Sequence, residues 1–379
     1  MGPLIVLDKS ALQCFSRDET WMLTKHYLLV VVPVLLIEIL ADLKKEPRED
    51  RAPEDEVVWL SGKLLGSDSK LNVPYQAACI ESMLGNDPPP GHLLMDGAKD
   101  VQTREGRKGI FFDEPTEYKA LRNWQVRRFD VAEKILAEEW RRATAAIDLE
   151  SFRRSHAERL KGKAQPRALD ELIPYVDQLL VSDDQCVQKD LIAALLNSIG
   201  APEEFRAKIF DRWLKLGMPR LREFSPYAHY CLRTMLIFQA GLAFGLLSTR
   251  ATNRIDLEYL FYAHFGYVFC SNDKFHRTMS PYVLGEFQTF VDADVLKQDL
   301  KWLHDEWEGL SESEREQRAY DYGSYPPQKS DSITHQLWVK YMRPWQPGSG
   351  NQAVRMTKEE EQQLLAEMRP FMDAIDEQS

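Results

Sequence analysis

Two short apolar runs near the start of the chain have the pattern of buried strands. Residues 4–7 read Leu-Ile-Val-Leu and stop at Asp8, and residues 28–32 read Leu-Leu-Val-Val-Val and stop at a proline. Uninterrupted runs of this kind are typical of strands that are covered on both faces, as in parallel sheets. Apolar residues at helical spacing follow each run, over 10–15 and 34–45. The order strand–helix–strand–helix predicts an α/β unit with a central parallel sheet.

Between residues 46 and 226 the strand pattern disappears. Helix-forming residues with few glycines or prolines fill 116–163, and helical spacing recurs over 168–180, 188–198 and 203–216. No sequence repeat links these segments. We therefore expect this part of the chain to be a large, all-helical insertion.

A third strand pattern follows this helical part. Residues 256–264 have helical spacing, Gly266 interrupts them, and residues 267–270 read Tyr-Val-Phe-Cys before a Ser-Asn-Asp turn. Helical spacing then recurs over 295–309 and 358–375. The chain is therefore predicted to return to α/β structure and to end in helices.

These changes of pattern divide the chain into four parts. We expect a core made of residues 1–45 and 227–295, interrupted by the helical insertion at 46–226 and followed by a helical C-terminal extension at 296–379. The stretch 227–247 is very apolar but contains arginine, glutamine and histidine. It is predicted to be a buried helix rather than a membrane span.

Composition narrows the class of protein. The 379 residues include 17 Phe, 14 Tyr and 9 Trp, which excludes disorder over most of the chain. A net charge of −11 excludes a uniformly basic protein that coats nucleic acid. The five cysteines form no CxxC pair, so a disulfide framework and a zinc knuckle are not expected. With no signal-peptide pattern at the start, the expected location is the cytoplasm, without membrane attachment.

Four carboxylates occupy related places in this pattern. Asp8 and Asp273 each follow a predicted strand, Glu38 lies about one turn into the helix after another strand, and Asp256 opens the helix before the last strand. The carboxyl ends of parallel strands meet at one edge of a sheet, so the four acids should converge there. Converging carboxylates repel one another unless a cation lies between them, and their hard oxygen atoms suit Mg²⁺ or Mn²⁺.

The segments around these acids resemble the motifs of the PIN-domain nucleases. Residues 4–12 (LIVLDKSAL) are similar to the first motif of that family, and residues 31–38 (VVPVLLIE) to the second. Residues 256–275 (DLEYLFYAHFGYVFCSNDKF) resemble the joined third and fourth motifs, in which an aspartate opens a helix and a Ser/Thr-Asn-Asp turn ends the following strand. The long separation between Glu38 and Asp256 departs from compact members of the family.

The resemblance implies a PIN-like fold and a Mg²⁺- or Mn²⁺-dependent nuclease, with RNA as the expected substrate and single-stranded DNA as the alternative. Asp8, Glu38, Asp256 and Asp273 would be the metal ligands, and Ser271 and Asn272 would support the metal site or the phosphate. The family is rich in toxins and immune effectors, so such a role is one expectation. The insertion offers a surface for a protein partner or a second copy of the chain.

Residues 121–167 are basic, although the whole chain is acidic. They contain twelve lysines and arginines against seven acidic residues, which is the local composition of a track for a phosphate backbone. Interleaved aromatic residues could stack on bases, although aromatic residues at helical spacing more often pack into a core. The candidate phosphate contacts are Arg127, Arg128, Arg141 and Arg142, and the aromatic residues are Trp124, Phe129, Trp140 and Phe152.

Other interpretations remain open from the sequence. Asp8, Asp256 and Asp273 could each cap a helix or form a turn, and His276 is expected on the surface. The chain could also be a catalytically silent PIN-like scaffold that binds nucleic acid or protein, or a metal-dependent phosphatase for small molecules. A haloacid-dehalogenase phosphatase is disfavoured because Ser10 stands where that family has its second aspartate.

Overall fold

A parallel β-sheet of five strands lies at the centre of the computed structural model, with helices packed around it. The structure describes residues 2–47, 52–64, 69–95, 97–112, 114–159, 165–347 and 357–376. Within these ranges the strands are β1 (Leu4–Leu7), β2 (Leu28–Val31), β3 (Ser69–Leu71), β4 (Ala98–Gln102), β5 (Lys108–Phe112), β6 (Val268–Ser271) and β7 (Thr289–Asp292).

The central sheet has the strand order β3-β2-β1-β6-β7, and every neighbouring pair in it is parallel. In register, Ile5 of β1 lies beside Leu29 of β2 and Val268 of β6. The predicted central parallel sheet is therefore confirmed, and the three apolar runs at 4–7, 28–32 and 267–270 supply neighbouring strands of it. Ile5, Val6 and Leu7 are completely buried, as expected for a central strand covered on both faces.

The order of the strands reverses between β1 and β6. The chain adds β2 and β3 on one side of β1, and it later adds β6 and β7 on the other side. In open parallel sheets a crevice forms outside the carboxyl ends of the strands at such a reversal. This topology places the ends of β1 and β6 at the expected position of a functional site.

Helices account for most of the remaining residues. The first group is α1 (Lys9–Cys14), α2 (Arg17–His26), α3 (Pro33–Leu40) with a 3₁₀ turn (Ala41–Lys44), α4 (Pro53–Ser61), α5 (Tyr75–Leu84), α6 (Thr116–Gln125), α7 (Val131–Ala145), α8 (Leu149–Arg159), α9 (Leu169–Leu180) and α10 (Gln185–Ser198). The second group is α11 (Glu203–Lys215), α12 (Leu221–Phe224), α13 (Pro226–Ala243), α14 (Asn253–Ala263), α15 (Lys274–Val283), α16 (Ala293–Gly309), α17 (Glu312–Tyr322), α18 (Ile333–Tyr341) and α19 (Lys358–Asp376).

The prediction that residues 46–226 are all helical is wrong. This segment supplies β3, which pairs with β2 in the central sheet, and it contains the antiparallel pair of β4 and β5. The sequence of β3 is only Ser-Lys-Leu, which is too short and too polar to show a strand pattern. In the helix-forming stretch at 116–163, the described residues 116–159 contain three helices, and Lys161 and Lys163 lie outside the described residues.

The C-terminal helices pack against the beginning of the chain. The Trp338 indole Nε1 donates a hydrogen bond of 2.8 Å to the His26 carbonyl, and His26 Nδ1 lies 2.8 Å from the Ser324 carbonyl oxygen. The Gln-Pro-Gly-Ser-Gly-Asn sequence at 346–351 predicts a flexible linker, and residues 348–351 of it lie outside the described residues. Among the helices that the structure describes, none has both the length and the apolarity needed to cross a bilayer.

A buried lysine holds the C-terminal end of α1, the helix that begins directly after Asp8. The Lys63 ammonium donates hydrogen bonds to the carbonyls of Leu12 at 2.7 Å and Phe15 at 2.5 Å. It also lies 3.1 Å from the centre of the Trp59 ring. Carbonyl groups at a helix end have no partner within the helix, so a cation placed there satisfies them.

Replacing Lys63 with methionine should therefore destabilise the fold. Met keeps most of the apolar volume but leaves two carbonyl oxygens without their donor, which should lower the free energy of unfolding by about 1–3 kcal/mol. Urea denaturation would measure this loss. Lys189→Met on the exposed surface of α10 is the matched control, with an expected change within about 0.5 kcal/mol. Equal stability of the two variants would contradict a capping role for Lys63.

Candidate active site

A cavity of about 730 Å³ opens at the carboxyl ends of β1 and β6, where the strand order reverses. We call it the acidic cleft. All four predicted acids line it, together with residues of α3, α7 and the 250–252 loop before α14. Its charged lining consists of Asp8, Glu38, Asp42, Asp256 and Asp273 and of Lys9, Lys45, Arg141, Arg142 and Arg250.

The chain brings the four acids together by different routes. Asp8 and Asp273 follow β1 and β6, which are neighbours in the sheet. Glu38 lies on α3, which begins after β2. Asp256 lies in the first turn of α14, and this helix runs back toward the start of β6, so its N-terminal turn lies near the carboxyl end of that strand.

Asp8 is held in one orientation by donors on several sides. It is only 3% exposed and caps α1 by accepting a hydrogen bond of 2.8 Å from the Ala11 backbone N–H. The Ser271 hydroxyl donates to Asp8 Oδ2 at 2.6 Å, and the Ser10 hydroxyl donates to both carboxylate oxygens. The capping interpretation of Asp8 is therefore correct, and it coexists with a place in the cleft.

His276 is completely buried beneath Asp8, so the expectation of a surface histidine is wrong. Its Nδ1 lies 3.1 Å from Asp8 Oδ2 and 2.8 Å from Ser271 Oγ, and its Nε2 lies 2.7 Å from the carbonyl oxygen of Asp256. Burial alone would lower the pKa of His276, but the hydrogen bond to Asp8 and its negative charge raise it to about 9. Burial would raise the pKa of Asp8, but His276 holds it below its ordinary value. The two form a buried ion pair.

Asp256 has the least satisfied carboxylate of the four. Its Oδ2 is buried and has no hydrogen-bond partner among the residues that the structure describes. Burial, followed by the charges of Asp273, Glu38 and Asp8, raises the pKa of Asp256 to about 7, although His276 opposes that shift. Asp256 does not cap α14, which begins at Asn253. This carboxylate is placed where a cation would relieve both burial and repulsion.

Glu38 and its neighbours form the other side of the cleft. The Tyr259 hydroxyl donates to Glu38 Oε2 at 2.5 Å, and burial raises the pKa of Glu38 above its ordinary value. The Lys9 ammonium donates to the Glu38 carbonyl at 2.7 Å and lies 2.7 Å from Asp42 Oδ1. Lys45 Nζ lies 2.8 Å from the same oxygen.

Sequence reasoning missed Lys9, Asp42, Tyr259 and the buried place of His276. Signals for three of them existed in the spacing. Asp42 is four residues after Glu38, Tyr259 is three residues after Asp256, and Lys9 adjoins Asp8, so each shares a helix face or a strand end with a predicted acid. His276 also follows a predicted acid, Asp273, by three residues, but this spacing does not show that the ring is buried beneath Asp8.

Asp273 lies on the side of the cleft nearest the solvent. Its Oδ1 accepts a hydrogen bond of 2.6 Å from the Phe275 N–H and so caps α15, and its Oδ2 lies 3.6 Å from the Arg250 guanidinium. The side chains of Arg250 and Arg142 are 63% and 75% exposed. The cleft thus has buried carboxylates at its base and arginines at its rim.

Of the other residues predicted to contact the substrate, some line the acidic cleft and some do not. Arg141 and Arg142 line the acidic cleft, whereas Arg127 and Arg128 do not, and Arg127 pairs with Asp55. Ser271 is completely buried beneath Asp8 and orients it. Asn272 also lies outside the cleft lining, where its side chain donates to Asp294 at 3.1 Å.

The acids of the cleft can be compared with the number and kind of ligands that a divalent cation requires. Within the described parts of the chain, no three carboxylate, imidazole or thiol groups already stand close enough together to hold a metal ion. The donor chemistry nevertheless fits Mg²⁺ or Mn²⁺, because the acids offer only hard oxygen atoms and Asp256 Oδ2 has no hydrogen-bond partner in the described part of the chain. The acids line one cleft without forming a closed ligand cage.

Comparison with known proteins adds no family to this description. No protein-family model, no curated protein and no solved structure matches the chain. The resemblance to PIN-domain nucleases therefore stays a prediction that depends on the motifs.

The ion pair beneath the cleft should be visible as energetic coupling. His276→Leu leaves the Asp8 carboxylate buried without its cation, so we expect a loss of about 3–5 kcal/mol in the free energy of unfolding. Asp8→Asn in the same background removes the isolated charge and should recover part of this loss. Urea denaturation of the wild type, both single variants and the double variant would measure the coupling. Single effects that add within about 0.5 kcal/mol would rule out the ion pair.

Proposed function

We propose that this chain is a divalent-metal-dependent nuclease that hydrolyses phosphodiester bonds in RNA, with single-stranded DNA as the alternative substrate. The main support for this proposal is the arrangement of charges in the acidic cleft. Four carboxylates from separate segments, of which Asp8 is buried and the others are half-buried, line one cleft, and exposed arginines line its rim. A phosphodiester backbone needs this combination, because its charge must be neutralised while one phosphate approaches metal ligands.

The acids would have distinct duties in such a site. Asp8, Glu38, Asp256 and Asp273 would hold one or two Mg²⁺ or Mn²⁺ ions. A bound ion of this kind activates water and stabilises the charge that develops on the phosphate. Asp8 remains anionic and fixed in direction because of His276, Ser10 and Ser271. Asp256 contributes an oxygen that makes no other hydrogen bond among the described residues.

The basic residues would act on the substrate. Arg141, Arg142 and Arg250 stand at the rim, where their guanidinium groups can hold the phosphates that flank the reacting one. Lys9 is committed to Asp42 and to the Glu38 carbonyl, so its first effect is to orient α3 and its carboxylate. Burial of the acids limits water around the reacting phosphate, which strengthens each of these electrostatic contacts.

A second candidate is a silent scaffold that binds nucleic acid without cleaving it. The observation in its favour is that the described acids do not already form a metal cage, and that Asp8 and Asp273 both serve as helix caps. Against it stands Asp256 Oδ2, because a buried carboxylate oxygen without a partner costs stability and serves no structural purpose.

Replacing Asp256 with asparagine tests the nuclease directly. The wild type should cleave labelled single-stranded RNA with Mn²⁺ and not with EDTA, and Asp256→Asn should lower the rate by orders of magnitude. Without metal, the variant should melt at the same or a higher temperature, because repulsion and burial of charge are relieved. Mn²⁺ should raise the melting temperature of the wild type and not of the variant.

Asp190→Asn on the exposed surface of α10 is the matched control and should behave as the wild type. Cleavage that persists in EDTA would refute metal dependence. If Asp256→Asn cleaves normally and melts at a lower temperature, Asp256 is structural and the proposal fails.

The two arginine pairs give an internal comparison. Arg141→Ala/Arg142→Ala should weaken binding of a single-stranded oligonucleotide and reduce the slope of log affinity against log salt, because fewer counterions are released. Arg127→Ala/Arg128→Ala removes the same charge from outside the cleft and should change both quantities much less. Fluorescence anisotropy over a salt series would measure them. Equal effects of the two double variants would mean that the cleft does not select the backbone.

A further inference from the structure

Helix α7 forms one wall of the acidic cleft. It packs along α3 and the 3₁₀ turn that follows it, and an ion pair of 3.0 Å between Lys44 and Glu138 joins the two segments. This packing presents five side chains from the last two turns of α7 to the cleft. They are Trp140, Arg141, Arg142, Thr144 and Ala145. The 250–252 loop also lines the cleft.

Trp140 differs from the other aromatic residues of the basic segment. Trp124 is 4% exposed, and its indole N–H donates to Glu133 at 2.7 Å, so it belongs to the core. Phe152 stacks on His156 with ring centres 4.0 Å apart. Of the four aromatic residues that the sequence marks, only Trp140 lines the cleft, where it is half-buried and packs partly against the core.

The wall therefore combines an anchored indole with two guanidinium groups, beside carboxylates that suit a metal ion. Arginines recognise phosphate oxygens, and an aromatic ring held at one face by the core offers its other face to a base. A base in a duplex already has neighbours on both faces, so an aromatic side chain reaches it only when the strand is single and the base is unstacked.

We propose that Trp140 is a specificity-determining residue that stacks on an unpaired nucleobase next to the phosphate held by Arg141 and Arg142. The substrate class of the cleft is then single-stranded nucleic acid, and duplexes are poor ligands. This inference rests on the proposed function, because it assumes that the cleft receives a phosphodiester backbone. RNA and single-stranded DNA share the required chemistry.

The test removes the Trp140 ring and individual bases, separately and together, and measures the effect of each change on binding affinity. Affinities of the wild type and Trp140→Ala are measured in EDTA by anisotropy, with a labelled 12-mer RNA, the DNA of the same sequence and the corresponding duplexes. Each single strand is also prepared with an abasic site at each position in turn. Loss of one stacked base corresponds to a change in affinity of about 5- to 150-fold.

We expect Trp140→Ala to weaken single-strand binding by such a factor and to change duplex binding by less than about two-fold. An abasic site at one or two adjacent positions should weaken binding to the wild type and not to Trp140→Ala. Trp140→Phe should retain most of the affinity. Tyr175→Ala, on the exposed surface of α9 and outside the cleft, controls for loss of an aromatic ring. The RNA and DNA arms show which strand fits better.

Two failures can be told apart. If the wild type neither binds nor cleaves any of these nucleic acids, the proposed function itself is wrong. The role of Trp140 is refuted in two cases in which the wild type does bind or cleave single strands. In the first, Trp140→Ala weakens the binding of single strands and duplexes equally. In the second, the losses of binding free energy caused by Trp140→Ala and by the abasic sites are additive. Should Trp140→Ala fail to fold, the abasic series on the wild type and Trp140→Phe decides the question: uniform tolerance of abasic sites by the wild type overturns the inference.

Discussion

The carboxylates that converge on the acidic cleft repel one another, and the fold has to offset that repulsion. The reversal of strand order between β1 and β6 brings Asp8 and Asp273 to one edge of the sheet, and α3 and α14 add Glu38 and Asp256. Such a cluster destabilises a fold unless positive charge or hydrogen-bond donors compensate it. The surroundings of the cleft can be understood as that compensation.

The compensation differs between the acids, and this difference supports the proposed metal site. Asp8 has His276 beneath it and several donors around it, and Lys9 and Lys45 face Asp42. Asp256 has a buried oxygen without a partner in the described residues and a pKa raised to about 7. A fold that needed these acids only as helix caps would have no reason to keep this one unsatisfied. A divalent cation would supply the missing charge.

Local pattern predicted the part of the site that depends on strand ends. The apolar runs at β1, β2 and β6 are readable because their residues are buried on both faces, and Asp8 and Asp273 follow two of these strands. The pattern could not reveal β3, whose three residues pair only because β2 offers an edge. It also could not separate Arg141 from Arg127, since both belong to one basic stretch and only the packing of α7 against α3 turns one of them into the cleft. The burial of His276 likewise depends on contacts between distant segments.

The most direct test of whether the four acids bind a divalent cation is to locate a bound ion in a crystal. Crystals grown or soaked with millimolar Mn²⁺ can be measured at the manganese absorption edge, where an anomalous difference map shows the ion without reference to activity. A metal site formed by these acids should give a peak in the acidic cleft with Asp256 and at least one of Asp8, Glu38 and Asp273 as ligands, at oxygen–metal distances of about 2.0–2.6 Å. If crystals treated with Mn²⁺ show no peak in the cleft, or show Mn²⁺ bound only elsewhere, the proposed metal site is contradicted.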